Sequence, residues 1–268
     1  MSEETNIKEF EDKEKRIKVV NADCLDYLKE IPDGSIDLIL TDPPYMISKE
    51  ATIRRSRNPL KYKYVGKDIS FNFGKWDLFN TEEEYLIFTE NWFKECSRVL
   101  KPCGHLVSFF DKWKIGELVK IGKKYKIDGR QPLFWIKKNP VPAARKVAFM
   151  NAIEMAYWGT KFNGEKKTKA TFNYKLGQHP EYLICPITPT NRNRKRHPCE
   201  KHPKWIEWVV SYLSNEGDTI LDSFAGTGVV GEISLKMNRK CILIEKEKDY
   251  YDIILNRIKP ILSQKKLE

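Results

Sequence analysis

The sequence predicts a doubly wound α/β fold on a mostly parallel sheet. Short apolar, β-branched runs alternate along the chain with stretches of helical spacing. That alternation is satisfied when parallel strands are covered by helices on both faces. Turn residues separate the runs at Pro32-Asp33-Gly34, Lys101-Pro102-Cys103-Gly104 and Glu216-Gly217-Asp218.

The elements follow in order. Residues 1–16 are charged, read as a frayed terminus, and lack the apolar stretch of a secretory signal. Residues 17–20 (IKVV) form a buried strand; Asp23 and a helical CLDYLKEI come next. Residues 35–40 (SIDLIL) form a second strand that runs straight into Thr41-Asp42-Pro43-Pro44-Tyr45. Residues 46–80 are rich in Arg, Lys, Asn, Gly and aromatics without a period, and read as a basic loop. Residues 81–99 are amphipathic, with Thr81 and Glu84 as a capping box. Strands at 105–110 (HLVSFF) and 132–137 (PLFWIK) flank a helix over 113–124. Regular structure resumes at 151–158. Residues 160–195 turn basic, polar and turn-rich, which suggests an insert lying over the core. A helix over 202–214, a strand TILD, the loop 222–228, a helix VVGEISLKM, a strand at 241–245 (CILIE) and a helix over 247–263 complete the chain.

The 268 residues suit one α/β domain with a sizeable insertion. Apolar residues, 41% of the total, suffice for a core. No run reaches the roughly 18–20 apolar residues of a membrane helix. The net charge of +11 favours a polyanionic partner through phosphate contacts. The six cysteines form no CxxC pair, a reduced, cytoplasmic pattern.

Two segments carry chemistry. In Asp42-Pro43-Pro44-Tyr45 the prolines fix φ, remove two N–H donors and hold their neighbours extended. The corner is stiff and rich in acceptors. The Asp42 carboxylate and the Pro43 carbonyl can accept both N–H bonds of an amino group on a planar ring, and Tyr45 can stack on that ring. A base inside a duplex cannot reach such a corner, so flipping is implied.

The second segment is the loop from Asp222 through Ser223, Phe224, Ala225, Gly226, Thr227 and Gly228. Its glycines permit a tight turn and close approach of a ligand. Glu245 ends the next strand, where a carboxylate can accept from two ribose hydroxyls. Gly226, Gly228 and Gly231 also satisfy the G-x-G-x-x-G of NAD-binding folds. Those folds carry the loop on their first strand, whereas here most of the chain precedes it. An NAD-dependent oxidoreductase stays open as a distant alternative and leaves the tetrapeptide unexplained.

Together these segments resemble the amino-directed DNA methyltransferases, N6-adenine and N4-cytosine, with their [DNS]-P-P-[YFW] hallmark and D-x-F-x-G-x-G loop. The tetrapeptide precedes the loop, as in the family's β group. The resemblance covers residues 17–260. It implies a Rossmann-like methyltransferase fold and S-adenosylmethionine as cofactor, held by Asp23, Asp222, Phe224, Ala225, Gly226, Thr227, Gly228 and Glu245. His197-Pro198-Cys199-Glu200-Lys201 resembles the family's H-P-T-x-K-P element, which implies a cofactor role for Lys201. Cys199 stands where Thr is usual, and His202 intervenes before Pro203. RVLKPCGHLVSFF and FWIKKNPVP, with Glu154 beyond, resemble the family's central strands.

The resemblance implies a catalytic domain at 17–159 and 196–268, and a target-recognition insert at 160–195. Asp at the head of the tetrapeptide favours adenine N6; N4 of cytosine, or an amino group in RNA, stays open. Double-stranded DNA is the expected polymer, with Arg54, Arg55, Arg57, Lys166, Lys167 and Lys169 as candidate contacts. A cytoplasmic, nucleoid-associated location is expected, and a cognate restriction endonuclease would be a partner in a restriction-modification role. A homodimer stays open. Cys103, in a turn, is set aside as a nucleophile because amino methylation needs no covalent intermediate. His197, Cys199 and His202 lack a second ligand cluster, so no metal is expected.

Overall fold

The structure, a computed structural model, describes residues 7–46, 52–53, 69–70, 79, 81–141, 147, 149–162, 164, 170–187 and 200–263. The chain divides into two compact units, Met1–Pro43 with Glu90–Glu268, and Pro44–Thr89.

In chain order the elements are β1 (Lys8–Glu11), β2 (Ile17–Asn21), α1 (Cys24–Leu28), β3 (Ile36–Thr41), β4 (Thr52–Ile53), β5 (Ile69–Ser70), α2 (Glu82–Val99), β6 (Leu100–Phe110), α3 (Ile115–Lys124), β7 (Ile127–Lys137) and β8 (Ile153–Lys161). After a 3-10 turn at Tyr174–Leu176 come β9 (Tyr182–Cys185), α4 (Pro203–Leu213), β10 (Thr219–Asp222), α5 (Val229–Lys236), β11 (Lys240–Glu245) and α6 (Lys248–Ser263). No helix among the described residues is long and apolar enough to cross a membrane.

The larger unit holds a nine-stranded sheet in the order β1-β2-β11-β10-β3-β6-β8-β7-β9. Strands β2, β11, β10, β3 and β6 run parallel. β1 is antiparallel on one edge; β8 runs antiparallel to both β6 and β7, and β9 is parallel to β7. Val19, Val20, Leu38, Ile39, Leu40, Ile220, Leu221, Leu243 and Ile244 are all 0% exposed. Their unbroken apolar runs follow from burial on both faces.

Side-chain alternation assigns the helices to faces. Tyr157 of β8 meets Phe93 of α2 (5.9 Å between rings) and lies against Gly122 of α3. Its neighbour Trp158, on the other face, stacks on Phe172 (6.0 Å), which touches Tyr212 of α4 (5.5 Å). Helices α4, α5 and α6 pack side by side on that second face. The chain thus leaves β3 for one face by α2 and leaves β10 for the other by α5. β3 and β10 are neighbours, so a topological switch point lies between them, where open α/β sheets bind ligands.

The smaller unit contains the antiparallel pair β4–β5 and the start of α2. Thr81 Oγ1 accepts from Glu84 N (3.1 Å), and Tyr85, fully buried, donates its hydroxyl to the Pro44 carbonyl (3.2 Å). Phe79 packs on Tyr85 and Phe88 at 5.2 and 5.4 Å.

Three expectations are corrected. The terminus expected to fray over 1–16 contains β1, whose backbone pairs with β2 despite its charged side chains. The region 46–80 is not all loop, since it contributes β4 and β5. The 160–195 insert does not lie wholly over the core. Its Lys161 ends β8, and β9 extends the sheet beside β7. Asn173 Nδ2 donates to the Ser211 and Ser214 carbonyls (2.7 and 2.9 Å), and His105 Nε2 meets the Thr171 carbonyl at 2.7 Å.

Gly122 shows how closely α3 sits on the sheet. A Cβ there would lie 2.5 Å from Tyr157 Oη and 2.7 Å from the Ile127 carbonyl oxygen. Gly122→Ala should destabilise by about 1–3 kcal/mol of overpacking, less the ~1 kcal/mol that Ala gains in a helix. A urea midpoint above the wild-type value would contradict this packing.

Candidate active site

The parallel strands deliver their carboxyl ends to one edge of the sheet. Along that edge stand Asp23 after β2, Glu245 at the end of β11, Asp222 and its loop at β10, and Asp42 after β3. Glu154 and Lys137 reach the same edge from antiparallel β8 and from β7. From β2 to β3 is three strand spacings, about 14 Å.

The loop after β10 is held from below. Asp222, 3% exposed, accepts from Thr41 Oγ1 (2.6 Å) and from Phe224 N (3.1 Å). Burial pushes its carboxyl up to about 7; the two hydrogen bonds oppose this and the nearby Asp42 charge adds to it. Trp92 Nε1 donates to Ser223 Oγ (2.9 Å), and its ring lies 5.7 Å from that of half-buried Phe224. Ala225 N bonds the Ile244 carbonyl (3.0 Å). Gly226 and Gly228 adopt φ of 51° and 79°, which favours glycine. Gly231, third in the glycine spacing, serves packing instead, since a Cβ would lie 2.5 Å from Leu243 Cδ1.

Glu245 accepts from Gly226 N (2.7 Å) on one oxygen and from Glu247 N (2.8 Å) on the other. Burial pushes its carboxyl up to about 7, against those two bonds. Each oxygen keeps a second acceptor site. Asp23 caps α1 by accepting from Leu25 N (2.9 Å), and its other oxygen pairs with Lys246 (3.0 Å).

Beside Asp42 stands an ammonium. Lys201 Nζ lies 2.7 Å from Asp42 Oδ2 and 2.9 Å from Glu154 Oε2, over the ring of Phe109 (4.6 Å). Lys137 Nζ sits 2.7 Å from Glu154 Oε1. Burial works against the charge of Glu154, but the two ammonium groups outweigh it and hold its carboxyl below the usual value. Lys201, read from sequence as a cofactor residue, thus stands against the tetrapeptide's acid. His202 caps α4 by accepting from Lys204 N (3.2 Å), with Pro203 in the first turn. The residue that interrupts the family element therefore starts a helix.

Sequence reasoning missed Glu200. Its carboxylate, 4% exposed, accepts from Thr227 Oγ1 (2.6 Å) and pairs with Arg257 NH2 (3.1 Å). It thereby ties the segment before α4 to the glycine loop and α6. Its place beside Lys201 in the H-P-x-x-K spacing was the available signal. Among the described residues no cluster of His, Cys, Asp and Glu could hold a metal. Arg54, Arg55, Arg57, Lys166, Lys167 and Lys169 lie outside the described residues, as do His197 and Cys199.

Fold and edge define an α/β enzyme with a row of acids and a glycine turn at its switch point. Residues 36–256 match the DNA methylase family N6_N4_Mtase. The type II methyltransferase M.HinfI of Haemophilus influenzae is 32% identical over 259 residues, covering 91% of this chain and 68% of that protein. The chain belongs to the DNA methylase family. The crystal structure of an M1.HpyAVI–SAM complex superposes with a TM-score of 0.69 at 20% identity, covering 91% of this chain and 99% of that one. The cytosine-N4-specific PvuII DNA methyltransferase gives 0.67 at 19%, covering 93% and 94%.

Removing Glu200 would leave Arg257 and Thr227 facing a gap. Glu200→Ala should cost about 1–3 kcal/mol, because Thr227 loses its acceptor while Arg257 keeps Glu232 at 3.3 Å. Urea unfolding measures it, and a loss under about 0.5 kcal/mol, the range of an ordinary surface change, would count against this tie.

Proposed function

We propose that this protein transfers a methyl group from S-adenosylmethionine to N6 of an adenine flipped out of double-stranded DNA. The observation that carries the reading is the placement of Asp42 and the 222–228 loop after neighbouring strands β3 and β10. Asp222 and Thr41 join those strand ends directly.

The residues present suit the cofactor. Glu245 has an open acceptor site on each oxygen for two ribose hydroxyls. The turn at Gly226 and Gly228 lets backbone approach closely, and Phe224 offers an apolar wall. Asp23, three strands from Asp42, would meet the adenine end of such a ligand. When bound, S-adenosylmethionine supplies a methyl group on a positively charged sulfur.

The protein's own groups act on the base. Asp42 and the Pro43 carbonyl accept the two amino N–H bonds and bend the nitrogen toward tetrahedral geometry. Tyr45 supplies a ring for the base to stack on. The freed lone pair forms the new N–C bond, the sulfur keeps the electron pair of the bond it loses, and one N–H proton leaves to Asp42 or to water. Asp at the head of the tetrapeptide supports adenine; the likeness to a cytosine-N4-specific enzyme supports N4 of cytosine as the second reading.

The test is transfer from tritiated S-adenosylmethionine to unmethylated duplex DNA, with digestion and identification of the labelled nucleoside. Label in N6-methyladenine is expected; label only in 4-methylcytosine moves the reading to the second base. No transfer to DNA, with transfer to RNA or tight NAD binding instead, would end it. Asp42→Ala should abolish transfer and leave S-adenosylmethionine affinity within about threefold, because its carboxylate is directed at the base. Loss of cofactor binding in that variant would contradict the assignment.

Glu245 makes cofactor affinity depend on pH. Hydroxyl donors favour the ionised carboxylate, and its value near 7 leaves it protonated below that pH. Affinity should therefore be full above about pH 7 and weaken by at most about tenfold per unit below it. Glu245→Gln should bind more weakly with a flatter profile in calorimetric titration. An unchanged profile in that variant would assign the dependence to another group, such as Asp222.

A further inference from the structure

The second face of the sheet holds a cavity of about 260 Å³ between β7, β8, α4 and the segment before β9. Five rings follow one another around it. Trp158 and Phe172 are 6.0 Å apart, Phe172 and Tyr212 5.5 Å, Tyr212 and His179 6.2 Å, and His179 and Trp208 5.2 Å. Trp158 comes four residues after Glu154 on β8, about 13 Å along the strand. The cavity is thus separate from the edge that carries Asp42 and the glycine loop.

Its outer wall is fastened to α4. Asn173 N donates to the Tyr212 carbonyl (2.9 Å), and the Tyr212 hydroxyl donates to the Gly177 carbonyl (3.0 Å). Trp208 lines the cavity, and its Nε1 is a buried donor with no acceptor among the described residues. A buried donor left this way costs free energy that a ligand's acceptor would recover. His179 Nδ1 lies 2.8 Å from the Pro180 carbonyl, which only accepts, so Nδ1 carries the proton. In the neutral ring Nε2 is then an acceptor. A donor and an acceptor therefore belong to adjoining rings. Among the described residues no Lys or Arg lines the cavity, although the chain has 48 of them.

Each feature narrows the ligand. Aromatic walls suit a flat ring. A donor beside an acceptor suits a ring edge that bears both an acceptor and an N–H. The want of cations argues against a phosphate. A quaternary ammonium, the other guest of aromatic cages, would leave the Trp208 N–H unpaired. The volume lies just under the roughly 300–1,000 Å³ of drug-sized sites, room for a base and little more than its sugar.

The geometry points to a second ligand site, for an uncharged nucleobase that stacks on these rings and accepts from Trp208 Nε1. The base can come from a free nucleoside or from a single strand.

The test titrates the full chain calorimetrically, with its cofactor site saturated by S-adenosylhomocysteine. One arm uses adenosine, the other a short single-stranded oligodeoxyadenylate. Saturable binding of adenosine is expected, with a dissociation constant under about 1 mM, and names a free nucleoside as the source. Binding of the oligonucleotide alone names a strand. Trp208→Phe keeps a ring and loses the donor, so it should weaken binding by about 2- to 10-fold. Phe172→Ala removes a stacking surface and should weaken it by about 5- to 150-fold. Both variants should bind S-adenosylmethionine as the wild type does. No binding of either ligand, or binding unchanged in Trp208→Phe, would overturn the inference. Adenosine monophosphate binding more tightly than adenosine would overturn the uncharged class. None of these results depends on which base the enzyme methylates.

Discussion

The carboxylate of Asp222 and the hydroxyl of Thr41 meet at 2.6 Å where both side chains are buried. This contact ties the carboxyl ends of β10 and β3. Thr41 precedes the acid of the tetrapeptide and Asp222 opens the glycine turn, so one hydrogen bond sets the offset between the two segments. It also relieves part of the cost of burying the acid, which even so carries a carboxyl raised to about 7. Sliding β3 by one residue would turn Thr41 to the other face of the sheet, and Asp42 with it.

Four of the acids along the edge have cations beside them. Lys201 and Lys137 answer Asp42 and Glu154; Arg257 answers Glu200; Lys246 answers Asp23. Among the described residues Asp222 and Glu245 have no cation as a hydrogen-bond partner; backbone N–H groups and a hydroxyl donate to them. Carboxyls held this way have raised values, whereas Glu154, between two ammonium groups, has a lowered one. Two kinds of acid thus share one edge, one sensitive to pH near neutrality and one not.

How much was legible in sequence follows from what each feature encodes. The central strands were legible because burial on both faces leaves uninterrupted runs such as SIDLIL and CILIE. The tetrapeptide and loop were legible because proline and glycine record backbone requirements directly. β1 was not, because an edge strand whose side chains are exposed or only half-buried can be as charged as KEFE. β9 was not, because its four residues alternate in exposure and bury only Cys185. The Asp42–Lys201–Glu154–Lys137 row draws on four segments, and no local pattern announces a charge whose partner is tertiary. Glu200 lies inside a recognisable element, yet its partners Thr227 and Arg257 are tertiary.

The parallel pairing of β3 with β10 has a consequence for synthesis. Thr41 and Asp222 are 181 residues apart in sequence. At about 5–20 residues per second, a ribosome needs roughly 10–40 s to make the partner strand after the first has emerged. Through that interval β2 and β3 present apolar surface with neither β10 nor β11 to cover it. Every nascent chain short of residue 222 therefore lacks the β10 and β11 ends of that sheet edge.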